Sequence, residues 1–249
     1  MSRPPEDLSQ LYNPYASLPS AWQLGEPVSD FLQRLPPATT DYRPGLDWIW
    51  VANPYCPPRP EEWLSRLIEG GHDRRALFDD FKQTAEANRE TVTGGTRASL
   101  DRDIAKERRA AVEDLRELAV ACSVLTGKWM LFPAPGYVNE VWAKIAQATA
   151  AGTLGVAAKV DTRIPSQGEK ERVICVYTRD FRDKDDVARV LNRLRELELV
   201  RPGEGQQLYY KSDAWTELGI YRGNSWGISP SLYSSNEIFA YMRKTGPQR

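Results

Sequence analysis

The chain has 249 residues, 41% of them apolar, with a formal net charge of −1 and a pI near 6.0. That length suits one large domain or one domain with an appendage, and the near-neutral balance excludes a strong whole-molecule grip on long nucleic acid. No apolar run follows Met1 and no long uncharged apolar stretch occurs, so neither a secretory signal nor a membrane span is expected, and a cytoplasmic or nuclear location is.

Cys56, Cys122 and Cys175 are an odd, widely spaced set without a CxxC pair. They support neither a zinc site nor a disulfide framework, and they read as reduced thiols. The single histidine, His72, follows Gly70 and Gly71 in an expected inter-helix loop. No nucleophile-elbow pattern accompanies it, so it reads as structural, and no catalytic residue, metal site or cofactor is assigned.

Residues 1–45 hold Pro4, Pro5, Pro14, Pro19, Pro27, Pro36, Pro37 and Pro44, which argue against regular helix or central strand there. Tyr12, Tyr15, Trp22 and Phe31 argue against pure disorder, so this segment is expected to be an arm wrapped on the surface with a loose start. LDWIWVAN (46–53) predicts a strand covered on both faces. Residues 61–122 read as amphipathic helices separated by the TVTGGT break. GKWMLF then predicts a strand, GYVNEVWAKIAQATAAG a helix, and LGVAAKVDTR with RVICVYTRD a hairpin. DKDDVARVLNRLRELEL predicts a helix capped by Asp183. RPGEG breaks it. QQLYYKSDAW and ELGIYRG read as strands, and NEIFAYMRK as strand or helix. The expected class is α+β, a curved and mostly antiparallel sheet with helices on one face. Its expected organisation is a proline-rich arm at 1–45 and one domain at 46–245, with 61–122 as a helical insertion after the first strand.

The runs GKWMLF, YVNEVWAKI, GTLGVAAKVDTR, RVICVYTRDFRDKDDVARVLNRLREL and LYYKSDAWTELGIYRGNSWGI resemble the basophilic-leukaemia-expressed protein family, a domain of unknown function. The resemblance covers about Leu46 to Tyr233 and implies a fold like that of translation initiation factor 4E. It does not carry over that factor's cap site, which needs two stacking tryptophans and an acidic residue. The loop NPYCPPRPEEW offers only Tyr55 before Trp63, and RIPSQGEKE has no aromatic. A tryptophan on the corresponding helix of that factor binds partner proteins, which makes Trp142 a candidate partner residue.

Charge is unevenly spread. Residues 1–60 carry a net −2, residues 61–122 a net −3 and residues 123–249 a net +4, the last from 18 basic and 14 acidic groups. Strand alternation places Lys159, Asp161 and Arg163 on the face opposite Val156, Ala158 and Val160. The same reasoning groups Cys175, Tyr177 and Arg179, then Tyr209, Lys211 and Asp213, and sets Lys128 opposite Trp129. If these faces coincide, Lys128, Lys159, Arg163, Arg179 and Lys211 lie beside Tyr177 and Tyr209 on an open surface. Basic groups among aromatics can hold a phosphate and stack a base. Arg222, Asn224 and Trp226, flanked by Gly223 and Gly227, form a second candidate. The expected function is a binding module for a nucleotide, RNA or other phosphorylated ligand. A protein-interaction adaptor using the arm and Trp142, and a phosphate-handling enzyme, are the alternatives.

Overall fold

The structure is a computed structural model that describes residues 8–91, 95–203 and 207–245, with the side chains of 89–96 excepted. The expected loose start at 1–7, the middle of TVTGGT and the end of RPGEG lie outside the described residues. Backbone contacts divide the chain into two compact units. Among the described residues no helix is long and apolar enough to cross a membrane.

The first unit comprises residues up to Arg59, 126–210 and those from Tyr233 onward. It holds β1 (Trp48–Ala52), β2 (Gly127–Leu131), β3 (Ala157–Asp161), β4 (Ile174–Thr178), β5 (Tyr209–Ser212) and β6 (Tyr233–Ser234). The last two residues of β5 are counted with the second unit. The strands form one sheet in the order β1-β3-β4-β2-β5-β6. The β1–β3, β3–β4, β2–β4 and β5–β6 pairings are antiparallel. The expected α+β class and antiparallel sheet are borne out.

Alternation turns Ile49, Val51, Trp129, Leu131, Ala158, Val160, Ile174 and Val176 to one face, where all are buried. Helix α4 (Val138–Ala150) covers them along β1 and β3, and α5 (Lys184–Glu196) along β4. Each helix turns one apolar stripe inward, Trp142, Ile145 and Ala146 on α4 and Val187, Val190, Leu191 and Leu194 on α5. Each valine, leucine or isoleucine among them contributes about 1.5–3 kcal/mol by burial. Asp183 caps α5 by accepting from the Asp186 amide at 3.0 Å. Trp129 Nε1 donates to the Val187 carbonyl at 3.1 Å, so the indole's polar end is satisfied inside the core.

Three segments differ from expectation. A seven-residue helix, α1 (Val28–Arg34), forms within the proline-rich arm. Pro27 stands just before it and Pro36 and Pro37 follow it, so no proline interrupts its hydrogen bonds. Its Phe31 is buried and meets Trp142 edge-on, centroids 6.4 Å apart. QQLYYKSDAW is strand only as far as Ser212, whose hydroxyl accepts from the Ala214 amide at 3.1 Å and starts α6 (Asp213–Glu217). ELGIYRG is a turn rather than a strand, since Gly219 and Gly223 take positive φ of 65° and 79°. NEIFAYMRK lies in α7 (Ser235–Thr245), which packs on α5. A reciprocal capping box selects the helix: Glu237 Oε2 accepts from the Ser234 amide at 2.7 Å, and Ser234 Oγ accepts from the Glu237 amide at 3.3 Å.

The second unit spans residues 60–125 and 211–232. Its frame is an antiparallel helix pair, α2 (Leu64–Thr91) and α3 (Gly95–Ala121). His72 lies inside α2, not in a loop. Arg74 ties the pair together through Asp114 at 2.6 Å and Glu107 at 2.7 Å. A Cβ at Gly71 would overlap the Leu218 side chain, so glycine there permits the close approach of the segment after α6. Trp226 is buried and stacked on Phe78, centroids 5.9 Å apart and planes 12° from parallel. Its carbonyl accepts from Arg108 Nε at 2.8 Å.

Two substitutions test this packing. A Cβ at Gly127 would overlap the ring of Tyr210, which is itself fixed by Thr178 and by an edge-on contact with Trp129 at 5.4 Å. Gly127→Ala is expected to cost about 1–3 kcal/mol, the usual range for overpacking, seen as a lower urea midpoint. Trp226→Ala is expected to cost about 3–5 kcal/mol through the cavity it leaves. Thermal melting followed by circular dichroism reads this, and an unchanged midpoint would show that the Phe78 stack carries no weight.

Candidate ligand-binding face

Residues directly opposite each other across antiparallel strands share a face. Trp48 stands opposite Asp161, and Trp50 opposite Lys159. Lys159 faces Cys175 and Ala157 faces Tyr177 across β3–β4. Tyr177 in turn faces Lys128, and Cys175 faces Met130, across β2–β4. One side of the sheet, away from α4 and α5, therefore carries Trp48, Trp50, Lys159, Asp161, Cys175, Tyr177 and Lys128. The grouping of Lys128, Lys159, Tyr177 and Cys175 expected from alternation is the one the register produces.

The cations of this face lie over its rings. Lys159 Nζ is 3.9 Å from the Trp48 ring centroid, 4.9 Å from that of Trp50 and 5.8 Å from that of Tyr177. Lys128 Nζ is 5.8 Å from the Tyr177 centroid. Trp50 and Tyr177 stack at 6.1 Å with planes 22° apart. The ring quadrupole attracts an ammonium within about 6 Å, worth roughly 0.5–2 kcal/mol depending on desolvation.

Contrary to the open surface expected from the sequence, the face is not open along its length. Lys128, Cys175 and Tyr177 are only 5%, 3% and 6% exposed, while Trp48, Trp50 and Lys159 are half-buried. Part of the cover is the arm. Tyr15 lies on Trp50, centroids 4.7 Å apart, and packs with Met130, Val156 and Val173 around Ala157, Cys175 and Tyr177.

At the Asp161 end of this face is a cleft of ≈ 180 Å³. Arg163, Lys170 and Arg172 line it with Asp161, Glu169 and the entry to α4 at Pro135, Gly136 and Val138. Arg172 is buried and spans Asp161, donating from Nε to Oδ1 at 2.9 Å and from Nη2 to the main-chain oxygen. Burial of that guanidinium is tolerable because the carboxylate pairs with it. Arg163 is exposed beyond the end of β3 and donates from Nε to Asp41 at 2.7 Å. That hydrogen bond holds the Asp41 carboxyl below its ordinary value.

The remaining candidates are dispersed. Arg179 donates to the carbonyls of Pro57 and Pro58 at 3.2 and 3.1 Å, and so fastens the loop after β1. In that loop burial raises the pKa of the Cys56 thiol. Tyr209 is exposed, with its hydroxyl on Gln207. Lys211 is buried in the second unit, its ammonium 3.8 Å from the Tyr221 centroid. Asp213 heads α6 and does not continue the strand face with Tyr209 and Lys211. Arg222 is exposed on a turn that Asn224 pins by donating to the carbonyls of Tyr221 and Ile228, both at 2.8 Å. Trp226 is packed on Phe78 rather than presented to solvent. Trp142 is wholly buried among α1, α4 and the sheet, which corrects its expected place on a partner surface. Among the described residues no group of three or more histidine, cysteine and acidic side chains is arranged to hold a metal.

Sequence reasoning missed Trp48, Trp50, Tyr15, Lys170 and Arg172. The two tryptophans carried a usable signal, since W-I-W spacing puts both on one face of a strand. Tyr15 and the cleft arginine carried none, because their placement depends on where loops return.

Two solved structures of Ascaris suum eIF4E-3 are similar to this chain, one in complex with m7G cap and one with m2,2,7G cap. Identity is 17% and 15%, and TM-scores are 0.32 and 0.31. Both matches cover 45% of this chain and 58% of that chain, less than two thirds of the neighbour's length. The family model for basophilic leukemia-expressed protein Bles03 matches residues 1–219, most of the sequence, and the chain belongs to that family.

Proposed function

We propose that this chain is a binding module for a nucleotide, RNA or another phosphorylated ligand with a planar group, taken over Trp48 and Trp50 at the Lys159 end of the sheet face. The observation that carries the reading is the Lys159 ammonium lying over three rings, nearest Trp48 at 3.9 Å. Aromatic rings and a cation in contact with them are the two kinds of group that a base and its phosphate need. Base–aromatic stacking is worth about 1–3 kcal/mol, and a phosphate adds charge-assisted hydrogen bonds. Trp48 and Lys159 are half-buried, so they keep ring and ammonium surface within reach of solvent.

The neighbouring cleft supports the same reading. It adjoins the face through Asp161, and it gathers Arg163, Lys170 and Arg172. Its cationic side chains suit a phosphate group. Lys128 and Tyr177 extend the face inward. Arg179, Tyr209, Lys211, Arg222 and Asn224 are assigned no direct contact.

Tryptophan fluorescence tests the proposal, because a stacked base quenches Trp48. Titration with AMP, GMP and a short oligouridylate in low salt is expected to give saturable quenching. Lys159→Ala is expected to weaken binding about tenfold, equivalent to about 1.4 kcal/mol. Trp48→Ala is expected to weaken it by at least fivefold, roughly the lower bound for a lost stack. For the oligouridylate, log affinity should fall linearly with log salt by about 0.7 per phosphate neutralised. Absence of saturable quenching by every ligand at low salt would refute the proposal.

A further inference from the structure

The arm delivers one aromatic ring to this face and holds it there with a dedicated brace. Backbone hydrogen bonds fasten its two ends to β1 and the loop that follows. Trp50 N donates to the Ser20 carbonyl at 3.0 Å, Trp22 N donates to the Trp50 carbonyl at 2.9 Å, and Tyr12 N donates to the Pro54 carbonyl at 3.0 Å. Between these anchors the chain loops out, and Gln23 fills the loop. Its side-chain amide donates to the carbonyls of Tyr15, Leu18 and Ala21 at 3.2, 3.0 and 3.2 Å, and its Oε1 accepts from Ser17 N at 2.9 Å. Asn13 adds a second brace, accepting from Tyr15 N at 2.9 Å and donating to the Trp22 carbonyl at 2.9 Å.

The loop's two parts differ in kind. Ala21 and Trp22 are buried and belong to the packed unit. Pro14, Ala16 and Ser17 are exposed, and Ser17 takes a left-handed φ of 66°. A left-handed conformation at a residue other than glycine is strained, and opening the tip would release that strain. Tyr15 sits at this tip and lies on Trp50 at 4.7 Å with planes 36° apart. That is the position a ligand's planar ring would take on the indole.

We infer that the tip 14–18 is an intramolecular cover, with Tyr15 occupying the subsite over Trp50 that a planar ligand group takes, so that binding there requires the tip to lift. The inference rests on the reading of the face as a ligand site and adds a competitor built into the chain. Cys175, buried under the same cluster, reports lifting without any ligand.

The test uses the full chain carrying Cys56→Ser, so that Cys175 and the buried Cys122 are the remaining thiols. Alkylation of Cys175 by iodoacetamide is followed by peptide mass, with Cys122 as internal control for unfolding. Tyr15→Ser removes the ring, and Gln23→Ala removes the brace while leaving the ring. Tyr15→Ser is expected to speed Cys175 labelling by roughly 2- to 10-fold, the range that loss of one aromatic pair supports, and Gln23→Ala by a similar factor through loss of its hydrogen bonds. Cys122 labelling should not change. AMP affinity, read by fluorescence, should rise in Tyr15→Ser by a similar factor. Unchanged Cys175 labelling in both variants would overturn the inference. So would faster labelling with weaker AMP binding in Tyr15→Ser, because Tyr15 would then be a wall of the site. Faster labelling with no AMP binding by any protein would support the cover and refute the nucleotide reading alone.

Discussion

Lys159 stands opposite Trp50 on one side and Cys175 on the other, and this register decides what both faces of the sheet contain. A slip of β3 by one residue would turn Lys159 and Asp161 under α4 and lift Ala158 and Val160 away from it. An ionised side chain without partners in that apolar layer would cost far more than any local interaction returns. The helix-covered face therefore enforces the arrangement of the other. The cations reach the aromatic rings because the aliphatic residues between them have no alternative.

The two faces differ in how polar groups are satisfied. Under the helices nearly every contact is apolar, and the Trp129 indole finds the Val187 carbonyl. On the other face ammonium groups lie on rings, and Lys128 does so at 5% exposure. A ring quadrupole offsets part of an ammonium's desolvation. An incoming anion would find cations already oriented, with side-chain entropy already spent on ordering them. This makes the face better suited to an anionic planar ligand than a row of solvated lysines would be.

Much of this was legible in the sequence, for reasons visible in particular residues. LGVAAKVDTR and RVICVYTRD alternate cleanly, so Lys159, Cys175 and Tyr177 could be assigned to one face before their partners were known. DKDDVARVLNRLREL shows its cap and its stripe. WIWVA is apolar at every position, and it hid that Trp48 and Trp50 share the polar face. The helix at Val28–Arg34 was obscured by proline content counted over a whole segment, although the prolines flank it and leave its interior free. Trp226 and Trp142 look alike as exposed-site candidates in sequence, and only packing against Phe78 and Phe31 shows that both are structural. The cleft is least legible, since Arg172 reaches Asp161 through the return of an irregular loop.

The arm shows how one segment can be both part of the fold and separable from it. Its base joins the sheet edge through backbone hydrogen bonds at Trp50, and Ala21 is fully buried beside them. Opening the base would strip backbone donors on β1 and expose Ala21 and Trp22, so it belongs to global unfolding. Opening the tip exposes one tyrosine ring and the small cluster beneath it, and exchanges the Gln23 and Asn13 hydrogen bonds for water. Net hydrogen-bond contributions of about 1 kcal/mol each, set against the strain released at Ser17, leave a local opening well below the global cost. A ligand that stacks on Trp50 replaces the ring contact that is lost, so what opposes its binding is mainly the brace. Gln23, which holds the tip through Tyr15, Ser17 and Leu18, is then the side chain that sets how closed the face is at rest.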